Sequence, residues 1–108
     1  MATAPRPALA RDPVKLDPQH YKVELETDRL RIIRIKYEGK EKSPMHQHLP
    51  GVAVMLTDAD FKFTYPDGRV EEFHKKAGEF LNAEDPWEHL PENLTHRSFE
   101  ALLIELKK

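Results

Sequence analysis

The apolar residues of this chain fall in short runs, most with a period of two. In residues 21–26, Tyr21, Val23 and Leu25 alternate with Lys22, Glu24 and Glu26. That is the pattern of a strand with one buried face. Thr27-Asp28 makes a turn, and residues 30–37 follow with Ile32, Ile33 and Ile35, β-branched side chains that suit a pleated surface. Ile32 and Ile33 are adjacent, so this strand offers apolar groups to both sides. Residues 38–42 form a polar turn. After the stretch Ser43-Pro44-Met45-His46-Gln47-His48-Leu49-Pro50, Gly51 opens an almost wholly apolar run, Val52-Ala53-Val54-Met55-Leu56-Thr57. Asp58-Ala59-Asp60 turns the chain into Phe61, Phe63 and Tyr65, which alternate with Lys62 and Thr64. Pro66-Asp67-Gly68-Arg69 is a strong turn signal and predicts a hairpin with residues 70–74.

The remaining segments are shorter. Ala77-Gly78 breaks the chain before a brief strand at residues 79–81. Residues 82–86 are a polar loop, residues 87–90 begin another strand, and residues 91–95 look like a turn. The last run, residues 97–106, carries Phe99, Leu102, Leu103, Ile104 and Leu106. Its pattern also fits an amphipathic helix, but a strand is expected, because a lone helix would leave a sheet edge unpaired. The total is eight or nine short strands at spacings near the about 8–12 residues of a β-sandwich or barrel. Ahead of them, residues 1–18 contain Pro5, Pro7, Pro13 and Pro18 and few large apolar groups. They read as an arm that is disordered, draped over the domain or crossing to a second subunit.

Composition narrows the function classes. The chain has 108 residues, 33% charged and 39% hydrophobic, enough for one soluble domain with a single core. Net charge is -2, and no run of Lys and Arg is longer than three, so nucleic-acid binding is not expected. No stretch reaches the roughly 18 apolar residues of a membrane span. The first ten residues lack the apolar core of a signal peptide, and a cytoplasmic location is expected. There is no cysteine, which excludes disulfides, thiolate metal sites and a cysteine nucleophile. No phosphate-binding glycine loop, serine-histidine-acid spacing or paired-carboxylate motif stands out.

Chemistry concentrates at His46 and His48. One residue apart on a strand, they point the same way, and two imidazoles on one face can grip a metal ion if a third ligand arrives from elsewhere. Around them lie two motifs. Gly39 is followed by six residues and then His46-Gln47-His48. Further on come Gly78-Glu79, Pro86 and His89-Leu90-Pro91-Glu92-Asn93. Together these motifs resemble those of the cupin superfamily, small β-barrels of the jelly-roll or double-stranded β-helix type. The resemblance spans residues 21–106. It implies an all-β fold in which residues 19–108 form one barrel domain, and it implies His89 as the third ligand. The chain departs from the pattern at the first-motif glutamate, which should fall at Val52 or Ala53, and at that motif's closing glycine, where residues 58–60 stand instead.

What carries over is therefore a three-histidine site for one divalent transition metal, iron, manganese, nickel or zinc. Without the carboxylate the ion keeps its full 2+ charge, which favours an anionic or dicarbonyl-like small molecule as the next ligand. The resemblance further implies metal-dependent, dioxygenase-like chemistry. Its rivals are a non-catalytic ligand-binding or sensor barrel and a metal-free structural dimer module. A homodimer is expected in each case, since strands apolar on both faces need a second cover. Phe61, Phe63 and Tyr65, with Val52, Val54 and Leu56, are expected to line the pocket, and Tyr65 is its obvious proton donor. His20, His74 and His96 are expected at the surface, and Trp87 as a cap on the barrel. Among Glu84, Asp85 and Glu88, one could accept a hydrogen bond from a ligand histidine.

Overall fold

In a computed structural model of the chain, residues 12–83 and 87–107 are described, Ala83 and Trp87 by their backbone alone. The described residues form nine strands, β1 (Tyr21–Glu26), β2 (Leu30–Tyr37), β3 (His46–His48), β4 (Gly51–Met55), β5 (Ala59–Thr64), β6 (Val70–Lys75), β7 (Phe80–Ala83), β8 (Trp87–Asn93) and β9 (Phe99–Leu106), preceded by one short helix, α1 (Pro13–Leu16). A five-stranded sheet has the order β1-β2-β9-β4-β7, and a four-stranded sheet has the order β3-β8-β5-β6. Every pairing is antiparallel. None of these residues lies in a helix long enough to cross a membrane.

The core lies between the two sheets. Ile33, Tyr37, Ala53, Met55, Phe99, Ala101 and Leu103 meet Phe61 and Phe63 of the other sheet. Strands β4 and β9 approach so closely that a Cβ on Gly51 would stand 2.0 Å from the Ile104 carbonyl oxygen. Only glycine fits there. The hairpin expected at Pro66-Asp67-Gly68-Arg69 joins β5 to β6, with Thr64 opposite Val70 and Gly68 at φ 90°. The final run is a strand, in register with β2 along its whole length.

Three local expectations fail for identifiable reasons. Tyr21, Val23 and Leu25 do not share one face. A bulge between Val23 and Leu25 sets Leu25 opposite Ile32, on the outer side of the sheet, where it is exposed. The turn expected at residues 91–95 starts later, because β8 runs through Pro91 to Asn93. The Pro91 carbonyl accepts from Ser43 N at 3.2 Å, beyond the end of β3, so the missing proline N–H forfeits no ladder bond. Finally, residues 13–16 are helical. Asp12 caps the helix by accepting from Val14 N at 3.1 Å, and Pro13 occupies its first turn. An acid followed by proline is a helix-start signal that the proline-rich texture of this segment obscured.

Candidate metal centre

Strand pairing brings the three histidines together. His46 of β3 lies directly opposite His89 of β8, and His48 follows one strand repeat along, opposite Trp87. Gln47 points away, while His46, His48 and His89 are all buried. One ligand atom from each of the three lies within 4.8 Å of the others. Phe63 of β5 packs on His89, with ring centroids 3.9 Å apart, and Tyr21 meets His46 edge-on at 4.9 Å.

The outer nitrogens fix which atoms face inward. His46 Nδ1 is 3.0 Å from the Pro44 carbonyl oxygen, which can only accept, and 3.0 Å from Ser43 Oγ. His48 Nδ1 stands 3.4 Å from a carboxylate oxygen of Glu105. The Pro44 carbonyl places the His46 proton on Nδ1 and leaves its lone pair on Nε2, and Glu105 is the anionic neighbour of His48 Nδ1. Yet the two Nε2 atoms are 3.1 Å apart. At that distance the pair needs either a proton or a cation between the two nitrogens. Two nitrogens each about 2.1 Å from one ion and at right angles to each other would be about 3.0 Å apart, so the spacing fits a shared metal. His89 completes the set in the form a metal needs. Burial, then the repulsion a second proton would meet beside His48 and His46, push its pKa well below the ordinary value, so the ring is neutral.

Glu105 is the residue that motif reading missed. It is fully buried in β9, where its Oε1 accepts from Arg31 Nε at 2.8 Å and its Oε2 accepts from Leu49 N at 3.3 Å. Arg31 and Glu105 are partners across the β2–β9 pairing. A signal existed: both sit on the inward parity of their strands, with Ile33 and Tyr37 in one and Phe99, Ala101 and Leu103 in the other. The acceptor beside a ligand histidine is thus Glu105 and not Glu88, whose strand position faces away from His89. Glu84 and Asp85 lie outside the described residues, as does the side chain of Trp87. Asn93, the last residue of the second motif, is a buried staple. It donates to the carbonyls of Glu38 at 3.0 Å and Arg97 at 2.7 Å, and it accepts from Thr95 N.

A cavity of about 50 Å³ adjoins the histidines, lined by His48, His89, Tyr21, Tyr37, Ala53, Met55, Phe61, Phe63 and Phe99, among others. Phe61 and Phe63 are among the residues lining it, whereas Val52, Val54, Leu56 and Tyr65 are not. Because β4 is apolar at every position, alternation could not choose its inward face. In the fold that face is Gly51, Ala53 and Met55, and Val52 and Val54 instead lie beside Ile104 and Leu102 on the outer side. Tyr65 sits beyond the end of β5 and donates to Glu71 at 2.7 Å. Burial and then that bond push its pKa up to about 12. The phenols at the cavity are Tyr21 and Tyr37, hydrogen-bonded to each other at 2.5 Å and both held protonated, first of all by burial.

His20 also departs from expectation. It is buried, stacked on Tyr37 at 4.2 Å, with Nδ1 2.6 Å from Asp17 and Nε2 2.9 Å from Glu41. His74 and His96 are exposed.

Solved structures with the same architecture were found. A cupin domain from Bordetella pertussis superposes with a TM-score of 0.74 at 19% identity, over 82% of this chain and 92% of that one. The chain has the cupin fold. A cupin superfamily protein from Desulfitobacterium hafniense gives a TM-score of 0.62 at 15% identity, over 82% and 76% of the two chains. A DMSP lyase from Ruegeria pomeroyi gives 0.55 at 15%, over 76% of this chain and 40% of that one. No family model and no curated protein sequence matches this chain.

Proposed function

We propose that the chain is a metal-binding cupin in which His46, His48 and His89 hold one divalent transition metal, iron, manganese, nickel or zinc, beside a small-molecule pocket. The observation that carries this reading is the 3.1 Å approach of two Nε2 atoms whose opposite nitrogens both face acceptors. When bound, the ion supplies Lewis-acid and, for iron or manganese, one-electron chemistry, with positions left open for dioxygen or a chelating molecule, as an oxygenase-type reaction requires. The chain's own residues do the rest. Ser43 and the Pro44 carbonyl orient His46, Glu105 faces His48, and Phe63 fixes the plane of His89. Phe61, Met55 and Phe99 keep water from the cavity. Among the described residues, none that lines the cavity is a lysine or arginine, so an anionic group on a small molecule is anchored at the ion and its apolar body against these walls. Metal analysis of untagged protein is the test. A 1:1 content, or thermal stabilisation by one of these four ions, is expected. A metal-free protein whose melting temperature none of them shifts overturns the reading. Oxygen uptake with candidate substrates then separates the oxygenase from a binding or sensor barrel.

A homodimer through the outer face of the five-stranded sheet belongs to the same proposal. Leu25, Leu56, Phe80 and Leu106 are exposed there, beside half-buried Ile32, Val52, Val54, Leu102 and Ile104. Light scattering is expected to give the dimer mass, and Val54→Lys with Phe80→Lys to give the monomer. A monomeric unaltered chain excludes it.

A further inference from the structure

Between His48 and the start of α1 runs an unbroken chain of charged groups. His48 Nδ1 faces Glu105 at 3.4 Å. Glu105 accepts from Arg31 Nε and Nη2, each at 2.8 Å. Arg31 turns its two terminal nitrogens on Asp12 in a bidentate pair, 3.1 Å each. The Asp12 carboxylate also caps α1, and its backbone carbonyl accepts from Leu16 N at 2.9 Å. All three charged side chains are largely buried.

We propose that this chain couples the docking of α1 to metal binding, with Glu105 as the positioning residue for His48. The inference rests on the three-histidine metal reading. Its sign follows from charge. With Asp12 docked, Asp12, Arg31 and Glu105 sum to one negative charge beside the cation. With Asp12 released, Arg31 is left to Glu105 alone and the sum is zero. The undocked state therefore offers the ion less charge compensation beside His48. Docking raises metal affinity, and by reciprocity the ion tightens docking by the same factor. A network that served only to stabilise the fold would show no such reciprocity.

The test uses the full chain, Zn²⁺ in competition with a chromogenic chelator, and trypsin. Lys15 is exposed on α1, and cutting after it reports local opening of the helix. Arg69, in the β5–β6 turn, is the internal control. Asn caps helices as well as Asp does, so Asp12→Asn removes the charge and keeps the cap. Zn²⁺ is expected to slow cutting after Lys15 about three- to tenfold, with cutting after Arg69 unchanged. Asp12→Asn is expected to weaken Zn²⁺ binding by the same factor and to abolish the protection. Glu105→Gln should weaken binding about 10- to 100-fold. Unchanged Zn²⁺ affinity in Asp12→Asn, together with unprotected Lys15 in the unaltered chain, overturns the coupling and leaves the metal site standing. Failure of the unaltered chain to bind Zn²⁺ or the other three ions overturns the metal reading itself.

Discussion

Two groups of buried histidine occupy this small barrel, and only one has its ring nitrogens arranged so that they could share a cation. His20 has an acid against each ring nitrogen, Asp17 on one side and Glu41 on the other. Those partners lie on opposite edges of the ring, so no nitrogen is left to point at a common centre with a second histidine. His46 and His48 each turn one nitrogen outward to an acceptor and the other inward to the same point. Burial is common to both. What separates a ligand from a structural clasp is the direction of the spare lone pair, and that is set by groups one shell further out.

The comparison can be broken most directly at the ligands. Replacing His46 or His89 by alanine should weaken zinc binding more than about 100-fold, beyond the loss expected from an outer partner. Isothermal titration checks this, and a change below tenfold would make the cluster a clasp like the other. His20→Ala should reverse the pattern. It leaves the buried Asp17 carboxylate without its imidazole, and chemical denaturation should show a loss of about 1–3 kcal/mol. Zinc affinity should fall by no more than about tenfold, the limit set by loosening α1. Ser43→Ala is the finer probe. It takes away one of two acceptors for His46 Nδ1 and should cost zinc affinity less than about tenfold, with denaturation midpoints nearly unchanged.

Acid sharpens the same contrast. His89 has a folded-state pKa well below its ordinary value of 6.5, so below about that pH the unfolded chain binds a proton that the folded chain does not. Stability of the metal-free protein is therefore fully present above pH 6.5 and declines as the pH falls through the window below it. His89→Gln should flatten that decline in pH-dependent melting curves. A decline of the same slope in the variant would assign it elsewhere.

Much of this was legible because strands advertise themselves by alternation. The β5–β6 hairpin and the shared face of His46 and His48 follow from spacing alone, and the terminal strand from the need to pair a sheet edge. The two-motif resemblance also named His89, although its pairing with His46 spans 43 residues of chain. Four things escaped. The apolar run at Val52-Ala53-Val54 has no polar parity, so its inward face was set only by the Gly51 contact with β9. Leu25 changed sides through a bulge that leaves no residue signature. Glu105 and Arg31 are charges at inward positions, explicable only once each has the other, 74 residues apart. His20 was misplaced for a similar reason, since Glu41, one of its two carboxylates, lies 21 residues away.

Ala53 faces inward in the cavity shared with His48 and His89, and Ala101 lines the same cavity. For protein engineering this is a point of entry. A glutamate introduced at Ala53 would bring an anionic fourth donor to the inward face while the outer face of β4 kept its valines. One substitution would then move the site from three neutral donors to a mixed set. Metal preference and redox potential could be compared on a single scaffold, with everything else in the barrel held constant.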